Sequence, residues 1–259
     1  MTDQPETARI ALVTGAARRI GRAIALALAR DGWDVAVHYA TSRLDALSTV
    51  HEIEQLGRRA VAIARDLADE SGAATLVDDC AAALGPLCCV VNNASVFEED
   101  TAANFSPELL ARMMRINAAA PIVLAQRLHA QLPAGASGVA VNLLDQKLWN
   151  PNPDFFSYTL SKAALKEATR LLAQALAPKL RVVGVAPGTT LASTYQTAEG
   201  FAAAHAATPL ARASTAGDIA QAVVYAVNAR AVTGTTLIVD GGQHLVPTGR
   251  DILFLTEHR

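Results

Sequence analysis

The chain has 259 residues, a length that suits one large α/β domain or two small ones. Apolar residues make up 51% of it and charged residues 18%, a balance that supplies a large buried core and argues against disorder. The formal net charge of −2 offers no basic field for nucleic acid or an anionic membrane, so small-molecule partners are expected.

The N-terminal residues and the cysteines indicate the cellular compartment of the protein. The first nine residues are polar and lack the apolar core of a signal peptide, and no run of 18 apolar residues could span a membrane. Cys80, Cys88 and Cys89 have no metal-ligand spacing and fit a reducing compartment. These features predict a cytoplasmic protein with no bound metal.

Short β-prone apolar runs alternate with helix-like segments along the chain. Strands are predicted at residues 10–14, 35–38, 60–64, 87–91, 139–144, 180–186 and 236–239. Helices are predicted at residues 20–29, 44–56, 71–84, 107–131, 157–177 and 215–229. Such alternation implies a parallel sheet with helices on both faces, because right-handed crossovers place them there. With no repeat or linker, the sequence predicts one doubly wound Rossmann-type α/β domain over residues 1–259, with a seven-stranded sheet.

The turn from the first strand to the first helix reads TGAARRIG, residues 14–21. Gly15 and Gly21 would let backbone N–H groups and the helix N-terminus approach a pyrophosphate. Arg19 replaces the middle glycine of a G-x-x-x-G-x-G pattern, and with Arg18 it suggests a phosphate-rich ligand. The alternative is a plain tight turn with solvated arginines.

The second predicted strand ends in His38-Tyr39-Ala40-Thr41-Ser42-Arg43. An NAD site would place an acidic residue here to hold the ribose 2′-hydroxyl, and there is none. Hydroxyls and an arginine suit the 2′-phosphate of NADP instead. Asp66, before Leu67 at the end of the third strand, could accept a hydrogen bond from the adenine amino group or cap the next helix.

Two further polar features follow. Asn93, Ala94 and Ser95 continue the fourth strand at the carboxyl edge of the sheet, where open α/β sheets bind ligands. Asn117 lies inside the apolar helix predicted at 107–131, where a buried amide needs partners. It is either a satisfied core asparagine or a group that holds a water or a lysine near an active site.

Tyr158 and Lys162 stand four residues apart at the start of a predicted helix, so their side chains share one face. A nearby cation would lower the pKa of the tyrosine from about 10 toward neutrality and make it a plausible proton donor or acceptor. A Tyr-x-x-x-Lys pattern alone is also typical of an ordinary amphipathic helix surface.

Together these features resemble the short-chain dehydrogenase/reductase family, whose landmarks occur in order at residues 14–21, Asp66, 92–94, Asn117, Tyr158-x-x-x-Lys162, Pro187-Gly188 and 240–242. The resemblance implies that Tyr158 is the catalytic acid, that Lys162 holds the nicotinamide ribose and lowers the tyrosine pKa, and that Asn117 supports a proton-relay water. It also implies a homotetramer that pairs the helices predicted at 107–131 and 157–177. The apolar C-terminal stretch 251–259 could reach a neighbouring subunit.

Two departures from the family pattern narrow the resemblance. Most members carry serine thirteen residues before the tyrosine, where this chain has Asp145, and most have glycine at the place of Arg19. Both changes occur together in the pterin-reducing branch, the pteridine reductases and dihydromonapterin reductases, in which the counterpart of Phe97 stacks on the pterin ring. That branch places arginine and then serine where Thr41 and Ser42 stand here.

We therefore predict an NADPH-dependent reductase that transfers hydride to a C=N bond of a pterin-like ring, with Tyr158 and Asp145 as proton donors. A carboxylate beside a phenol resists ionisation of both, so Asp145 could titrate high enough to donate. Asp145 could instead be a turn residue or a helix cap. One alternative is a reductase of a carbonyl substrate, such as a 3-oxoacyl thioester or a sugar ketone. Another is a non-catalytic NADP sensor, against which the set of Asn117, Tyr158 and Lys162 argues.

The predicted site residues form three groups. The catalytic residues are Asn117, Asp145, Tyr158 and Lys162. The cofactor contacts are Gly15, Arg19, Ile20, Gly21, His38, Tyr39, Thr41, Ser42, Arg43, Asp66, Leu67, Asn93, Ala94, Ser95, Lys162, Pro187 and Gly188. The substrate contacts are Ser95, Phe97, Asp145 and Tyr158.

NADPH should bind at least about tenfold more tightly than NADH, a difference of about 1.4 kcal/mol. The reason is the missing acid after Val37 together with Arg19 and the 41–43 segment. Equilibrium titration with both cofactors measures the ratio, and equal dissociation constants would contradict the prediction. Arg19→Gly should weaken NADPH binding and leave the fold intact.

Overall fold

A computed structural model describes residues 9–192, 197–212 and 214–256, apart from the Glu70 side chain. In these ranges seven strands form one sheet in the order β3-β2-β1-β4-β5-β6-β7, and every neighbouring pair is parallel. The predicted α/β class and seven-stranded parallel sheet are confirmed. The strands are β1 (Ile10–Val13), β2 (Asp34–Tyr39), β3 (Ala60–Ala64), β4 (Cys89–Asn92), β5 (Gly138–Leu143), β6 (Leu180–Pro187) and β7 (Thr236–Val239).

Helices connect the strands and cover both faces of the sheet. They are α1 (Arg19–Arg30), α2 (Arg43–Gln55), α3 (Glu70–Leu84), α4 (Pro107–Met114), α5 (Ala120–Gln131), α6 (Phe156–Leu176), α7 (Ala198–Ala206), α8 (Ala216–Asn228) and α9 (Ile252–Thr256). Within the described ranges, no helix has both the length and the apolar character that crossing a bilayer requires.

The two cores follow from the alternation of side chains along each strand. Ala11 and Val13 of β1 join one apolar cluster with α1 and α8, whereas Leu12 joins a second cluster with α3 and α5 on the opposite face. Leu12 is fully buried, and burial of such a side chain contributes about 1.5–3 kcal/mol. Because both faces are covered, the strands read as continuous apolar runs.

The strand order places a topological switch between β1 and β4. The chain winds outward through β2 and β3 and then returns to the other side of β1, so the connections after β1 and β4 diverge. In such sheets a crevice opens at the carboxyl ends of those two strands, and ligands bind there. The glycine turn after β1 and the Asn93 segment after β4 meet at this edge.

The helix predicted at 107–131 is interrupted. A π-helical turn, Arg115–Ala119, separates α4 from α5 and contains Asn117. Pro121 lies in the first turn of α5 and has no backbone N–H to continue a regular α-helical ladder, which accounts for the interruption. Pro121 is a signal in the sequence that the helix is interrupted, but the continuous pattern of apolar residues over 107–131 predicted one unbroken helix.

The C-terminal segment folds back on its own chain. Leu253 of α9 is buried against Met113, Phe155 and Tyr158, and Asp251 forms an ion pair with Lys147. Part of the segment therefore packs on its own chain, whereas Leu255 remains 51% exposed, and its contact with a neighbouring subunit stays a prediction. Residues 257–259 of the predicted stretch lie outside the described residues.

Leu253→Ala should lower the free energy of unfolding by about 2–5 kcal/mol, since it leaves a cavity in this cluster. Leu255 lies on the same short helix but is 51% exposed, so Leu255→Ala should change stability by less than about 0.5 kcal/mol. Urea denaturation of both variants measures the difference. Equal losses at the two positions would contradict the docking of α9.

Candidate active site

The glycine turn is tied to the neighbouring strands by side chains. Gly15 adopts the left-handed region at φ +62°, and its N–H donates to Nδ1 of His38 at 3.1 Å. The hydroxyl oxygen of Thr14 accepts the N–H groups of Asn93 at 2.9 Å and Ala94 at 3.0 Å. The ends of β1, β2 and β4 are thereby held in one arrangement.

Gly21 permits the close packing of α1 against this turn. A Cβ atom at position 21 would lie 2.2 Å from the carbonyl oxygen of Gly15 and 2.5 Å from Nδ2 of Asn93. The Asn93 amide itself donates to the carbonyl oxygen of Thr14 at 2.9 Å. Any larger residue than glycine would push the helix N-terminus away from the crevice.

A cleft of about 430 Å³ lies over the switch point. Its described walls combine the helix N-terminus, two arginines, four hydroxyl-bearing residues and small residues, and none of them is acidic. This set fits a pyrophosphate and a 2′-phosphate, because amides, guanidinium groups and hydroxyls all bind phosphate oxygens. The lining residues are Gly15, Ala17, Arg18, Arg19, Ile20, Gly21, His38, Tyr39, Ala40, Thr41, Ser42, Asn93, Ala94 and Ser95.

Eleven of the predicted cofactor contacts therefore belong to one cleft. In the described chain, other predicted contacts are not among its lining residues: Arg43, Asp66, Leu67, Lys162, Pro187 and Gly188. Arg18 lines the cleft and was not among the predicted contacts. The sequence of the turn had already associated Arg18, beside Arg19, with a phosphate-rich ligand.

Arg19 occupies an unfavourable backbone conformation. Its φ is +54°, in the left-handed region, where a non-glycine residue costs about 1–2 kcal/mol. Its guanidinium group is exposed and donates to the carbonyl oxygen of Ala192 at 3.1 Å, in the segment after β6. The residue thus links the glycine turn to the opposite side of the sheet edge.

His38 supports the cleft as a neutral side chain. Because Nδ1 accepts from Gly15, Nε2 carries the proton and donates to the carbonyl oxygen of Arg65 at 3.0 Å. Burial lowers the pKa of His38 to about 4. Near neutral pH this histidine therefore carries no positive charge that could attract a phosphate. Its own contacts include the glycine turn.

Asp66 does not cap the helix that follows it. Its Oδ1 accepts the N–H of Ala68 at 2.8 Å, whereas the N-cap of α3 is Asp69, which accepts the N–H of Ser71 at 3.1 Å. The cap alternative for Asp66 is wrong because α3 starts at Glu70, too far along the chain. The exposed Asp66 side chain stands at the edge of the sheet.

Just beyond the carboxyl end of β5, the Tyr158 hydroxyl donates to Oδ2 of Asp145 at 2.9 Å. Oδ1 of Asp145 accepts the N–H of Lys147 at 2.9 Å and so caps the short turn Gln146–Leu148. Burial raises the pKa of Asp145, and these two hydrogen bonds and the Lys162 charge only partly oppose it. Asp145 is both a cap and a carboxyl group of raised proton affinity.

Burial and the Asp145 charge raise the pKa of Tyr158 well above its usual value. The expectation that Lys162 lowers this pKa is wrong in this arrangement. Lys162 Nζ lies 5.8 Å from the centre of the Tyr158 ring and donates to the carbonyl oxygen of Leu143 at 2.7 Å, whereas the carboxylate contacts the phenol directly. Burial lowers the pKa of Lys162 to about 8.

The Asn117 amide satisfies its hydrogen-bonding capacity within the protein. Its Oδ1 accepts the Val96 N–H at 2.8 Å and the Ser95 hydroxyl at 3.2 Å. Its Nδ2 donates to the Val96 carbonyl at 2.9 Å and to Oγ of Ser161 at 3.0 Å. The side chain thus matches the description of a satisfied core asparagine, and it ties the segment after β4 to α6.

The start of α6 depends on Asp100, which sequence reasoning missed. Its buried carboxylate accepts the N–H of Ser157 at 2.9 Å and also the Ser157 hydroxyl, and its backbone carbonyl accepts the N–H of Phe156 at 3.1 Å. Phe155, immediately before the helix, has φ +53°. No local pattern links Asp100 to a helix 57 residues later.

Phe97 forms part of an aromatic wall beside Tyr158. Its ring stacks on Phe155 at a centroid distance of 4.2 Å and meets the Tyr158 ring edge-on at 4.8 Å. Although packed in this way, Phe97 remains 40% exposed. The wall therefore offers an aromatic surface next to the phenol.

The segment 148–156 is held to the C-terminal segment by an ion pair in which Asp154 is buried and Arg250 is half-exposed. Arg250 donates to both oxygens of Asp154 at 2.8 and 2.9 Å, and the N–H of Asp251 donates to the same carboxylate at 2.7 Å. Lys147 Nζ donates to Oδ2 of Asp251 at 3.0 Å. Across the described ranges, no group of three His, Cys, Asp or Glu side chains is placed to hold a metal ion.

Comparison with known proteins agrees with this geometry. The model of a family described as enoyl-(acyl carrier protein) reductase matches residues 15–244. A short-chain type dehydrogenase/reductase of Picea abies is 32% identical and covers 91% of this chain and 92% of its own length. The 3-oxoacyl-[acyl-carrier-protein] reductase of Staphylococcus aureus is 31% identical, covering 91% and 98%. The chain belongs to the short-chain dehydrogenase/reductase family.

One similar solved structure is described as a dihydrofolate reductase. It is the alternative dihydrofolate reductase 1 of Brucella suis in complex with NADP, which is 39% identical to this chain with a TM-score of 0.86. The match covers 92% of this chain and 96% of that one.

The buried His38 should make the fold sensitive to acid. An unfolded pKa of 6.5 and a folded pKa of about 4 mean that the unfolded chain binds the proton more tightly, so stability is lost as pH falls through this window. By pH 5 the loss should reach roughly 2 kcal/mol. Urea denaturation at pH 7 and pH 5 should show a loss smaller by that amount in His38→Gln.

The exposed His51 provides the matched control, and His51→Gln should retain the full acid sensitivity of the wild type. If His38→Gln also retains it, the histidine is charged in the folded protein and the assigned tautomer is wrong.

Proposed function

We propose that the protein reduces a C=N bond of a pterin-like ring, with Asp145 and Tyr158 as the proton donors. The observation that carries this proposal is the hydrogen bond from Tyr158 to Asp145, at the position where most family members place a serine. A serine hydroxyl donates at any pH, whereas an ionised carboxylate only accepts. A carboxyl group at this place suits a substrate that must itself receive a proton.

The protein is an NADP-dependent oxidoreductase of the short-chain dehydrogenase/reductase family. NADP(H) is the cofactor, and it supplies the hydride when bound. The glycine turn and Arg19 would hold its pyrophosphate, and Thr41, Ser42 and Arg18 would hold the 2′-phosphate. Lys162 would hold the nicotinamide ribose through its ammonium group.

The proton chemistry follows from the environment of the carboxyl group. Reduction of a C=N bond adds hydride to carbon and a proton to nitrogen. Burial raises the pKa of Asp145 above its usual value, which favours the protonated carboxyl group that a proton donor needs. Tyr158 holds its own proton even more firmly and can relay one between Asp145 and the ring nitrogen. Because the two groups share a hydrogen bond, they titrate as a pair.

The substrate ring would lie against the aromatic wall. Phe97 is exposed beside Tyr158, and a flat heteroaromatic ring can stack on such a surface. Ser95 stands at the same edge and could hydrogen-bond the ring. The Brucella suis structure supports this choice, since its enzyme is described as a dihydrofolate reductase.

A carbonyl reductase is the second candidate, and the Staphylococcus aureus 3-oxoacyl reductase supports it. Ketone reduction develops negative charge on oxygen, which an ionised Asp145 would repel. A protonated Asp145 would tolerate this charge, so ketone reduction needs Asp145 only to stay protonated, whereas C=N reduction needs it to give up its proton.

The homotetramer and the cytoplasmic location stay predictions. Apolar side chains on the outer faces of α5 and α6 support assembly, because Ile122, Leu160 and Leu171 are each more than one third exposed. Light scattering at micromolar concentration would test it, and a strictly monomeric mass would refute it.

Asp145→Ser should lower kcat for dihydropterins by about 10²–10⁴-fold, the usual loss on removal of a general acid. Asp145→Asn keeps the shape without a transferable proton and should be as damaging. The wild-type rate should fall as pH rises through the apparent pKa of the coupled pair, because the donor becomes ionised. Steady-state assays of NADPH oxidation across pH measure both effects.

Asp78→Asn is a remote control, since Asp78 is exposed on α3, and it should behave as wild type. Should Asp145→Asn keep near-full dihydropterin activity and an unaltered pH profile, Asp145 is structural and the carbonyl reductase becomes the better assignment. A panel of ketones assayed in parallel would show this directly.

A further inference from the structure

Lys147 is a buried lysine two residues beyond Asp145. Its side chain is 4% exposed, and its ammonium group donates to Oδ2 of Asp251 at 3.0 Å. The same ammonium group lies 5.2 Å from the centre of the Phe155 ring. Burial of an ammonium group is costly unless a negative charge compensates it, so Asp251 is the partner that lets Lys147 stay charged. The proposed proton chemistry uses neither side chain directly.

Asp251 is itself fixed by its neighbours. Its backbone N–H donates at 2.7 Å to the buried carboxylate of Asp154, which also forms an ion pair with Arg250. Its Oδ1 accepts the N–H of Leu253 at 3.2 Å. The Asp251 carboxylate therefore has a defined position beside Lys147.

The ion pair is connected to Asp145 through the backbone. The N–H of Lys147 donates to Oδ1 of Asp145 at 2.9 Å, and the Tyr158 hydroxyl donates to Oδ2 at 2.9 Å. Lys147 thus carries a buried charge on its side chain and orients the Asp145 carboxyl group with its main chain. Displacement of its side chain would move this N–H and turn the carboxyl group relative to the phenol.

Ionisable groups face Asp145 from three elements. Tyr158 and Lys162 lie on α6. Lys147 lies on the short turn after β5, and Asp251 lies on the C-terminal segment. Burial is the main cause of the raised pKa of Asp145, the Asp251 charge adds to it, and the Lys162 charge opposes it. Burial and the Asp145 charge raise the pKa of Tyr158, and the Asp251 charge adds to this as well.

We propose that the Lys147–Asp251 ion pair is a positioning device for the proton donors, in which Lys147 orients the Asp145 carboxyl group and the two charges act on it with opposite sign. The inference rests on the proposed function, since it takes Asp145 to give up a proton. Both are positioning residues, because they act through Asp145.

The two charges of the pair have separable effects. Neutralising Asp251 leaves the positive charge of Lys147 alone and favours the ionised Asp145 carboxylate. Neutralising Lys147 leaves the negative charge of Asp251 alone and favours the protonated carboxyl group. In the intact pair each charge offsets part of the other.

Infrared difference spectroscopy of the enzyme with bound NADP⁺ measures the charge of Asp145 without a substrate. The carbonyl band of its protonated form is the band that Asp145→Asn lacks, and a pH titration gives its midpoint. We expect Asp251→Asn to move this midpoint to lower pH by at least about 0.5 unit, and Lys147→Met to move it to higher pH by a similar amount. Shifts in the same direction, or no shift in either folded variant, would overturn the proposal.

Steady-state rates with NADPH and 7,8-dihydrobiopterin give the kinetic counterpart. Because the donor must be protonated, the alkaline fall in kcat should begin at lower pH in Asp251→Asn and at higher pH in Lys147→Met. A merely structural role would lower kcat alike at every pH. The pKa of Lys162 lies at about 8 and also affects the alkaline rate, so the infrared band is needed to identify Asp145.

The two measurements separate this inference from the proposed function. Opposite infrared shifts without turnover of the dihydropterin would overturn the proposed function and leave the control of Asp145 by the ion pair standing. Wild-type turnover of the dihydropterin without infrared shifts in the variants would overturn only the ion-pair inference.

Three further variants separate charge from structure, with thermal melts to confirm folding. Lys147→Met/Asp251→Asn leaves neither charge unpaired and should return the midpoint toward the wild-type value. Asp251→Glu keeps the negative charge and should keep the wild-type midpoint even where kcat falls. Glu167→Gln breaks an exposed ion pair with Arg170 on α6 and should keep the wild-type midpoint and rate. A double variant displaced as far as a single variant, or a displaced midpoint in Asp251→Glu, would overturn the proposal.

Discussion

The candidate active site depends on the hydrogen bond between Tyr158 and Asp145, because it joins two ionisable groups that are both largely buried. Burial is unfavourable for either anion, so the pKa of each group is raised, and the pair retains protons that isolated surface groups would lose. Lys162 supplies a positive charge nearby but donates to the Leu143 carbonyl and does not contact the phenol. In this hydrogen bond the phenol is the donor and the carboxyl group the acceptor.

That contact is maintained by side chains that take no part in it. Asp100 fixes the first turn of α6, and Asn117 binds the segment after β4 to Ser161 on the same helix. The C-terminal segment holds the other partner in place, since Asp251 pairs with Lys147, whose backbone N–H donates to Asp145. Three distant parts of the chain thus converge on α6 and on the turn after β5, and each compensates buried polar groups with hydrogen bonds.

The cofactor side of the site is built differently. There the close approach of backbone to backbone dominates, and Gly15 and Gly21 are the residues whose lack of a Cβ atom permits it. Arg19 is the exception among these residues. It adopts the left-handed conformation although it carries a Cβ atom, and its guanidinium group lies at the crevice. The cleft is lined by amides, guanidinium groups and hydroxyls, which are groups that bind phosphate oxygens.

The sequence by itself determined the α/β class, the parallel sheet and the grouping of the glycine turn with the Asn93 segment, because strand alternation and strand-end position are local properties that one sheet edge brings together. It also singled out Tyr158 and Lys162 by their spacing on one helix, and Asp145 as a departure from the pattern of the family that the chain resembles. Only the tertiary structure decided the direction of the Tyr158 pKa, the break in the helix at Asn117, the supporting role of Asp100 and the return of α9 onto its own chain. These depend on burial and on contacts between residues far apart in sequence, and neither quantity is written in the local pattern of side chains.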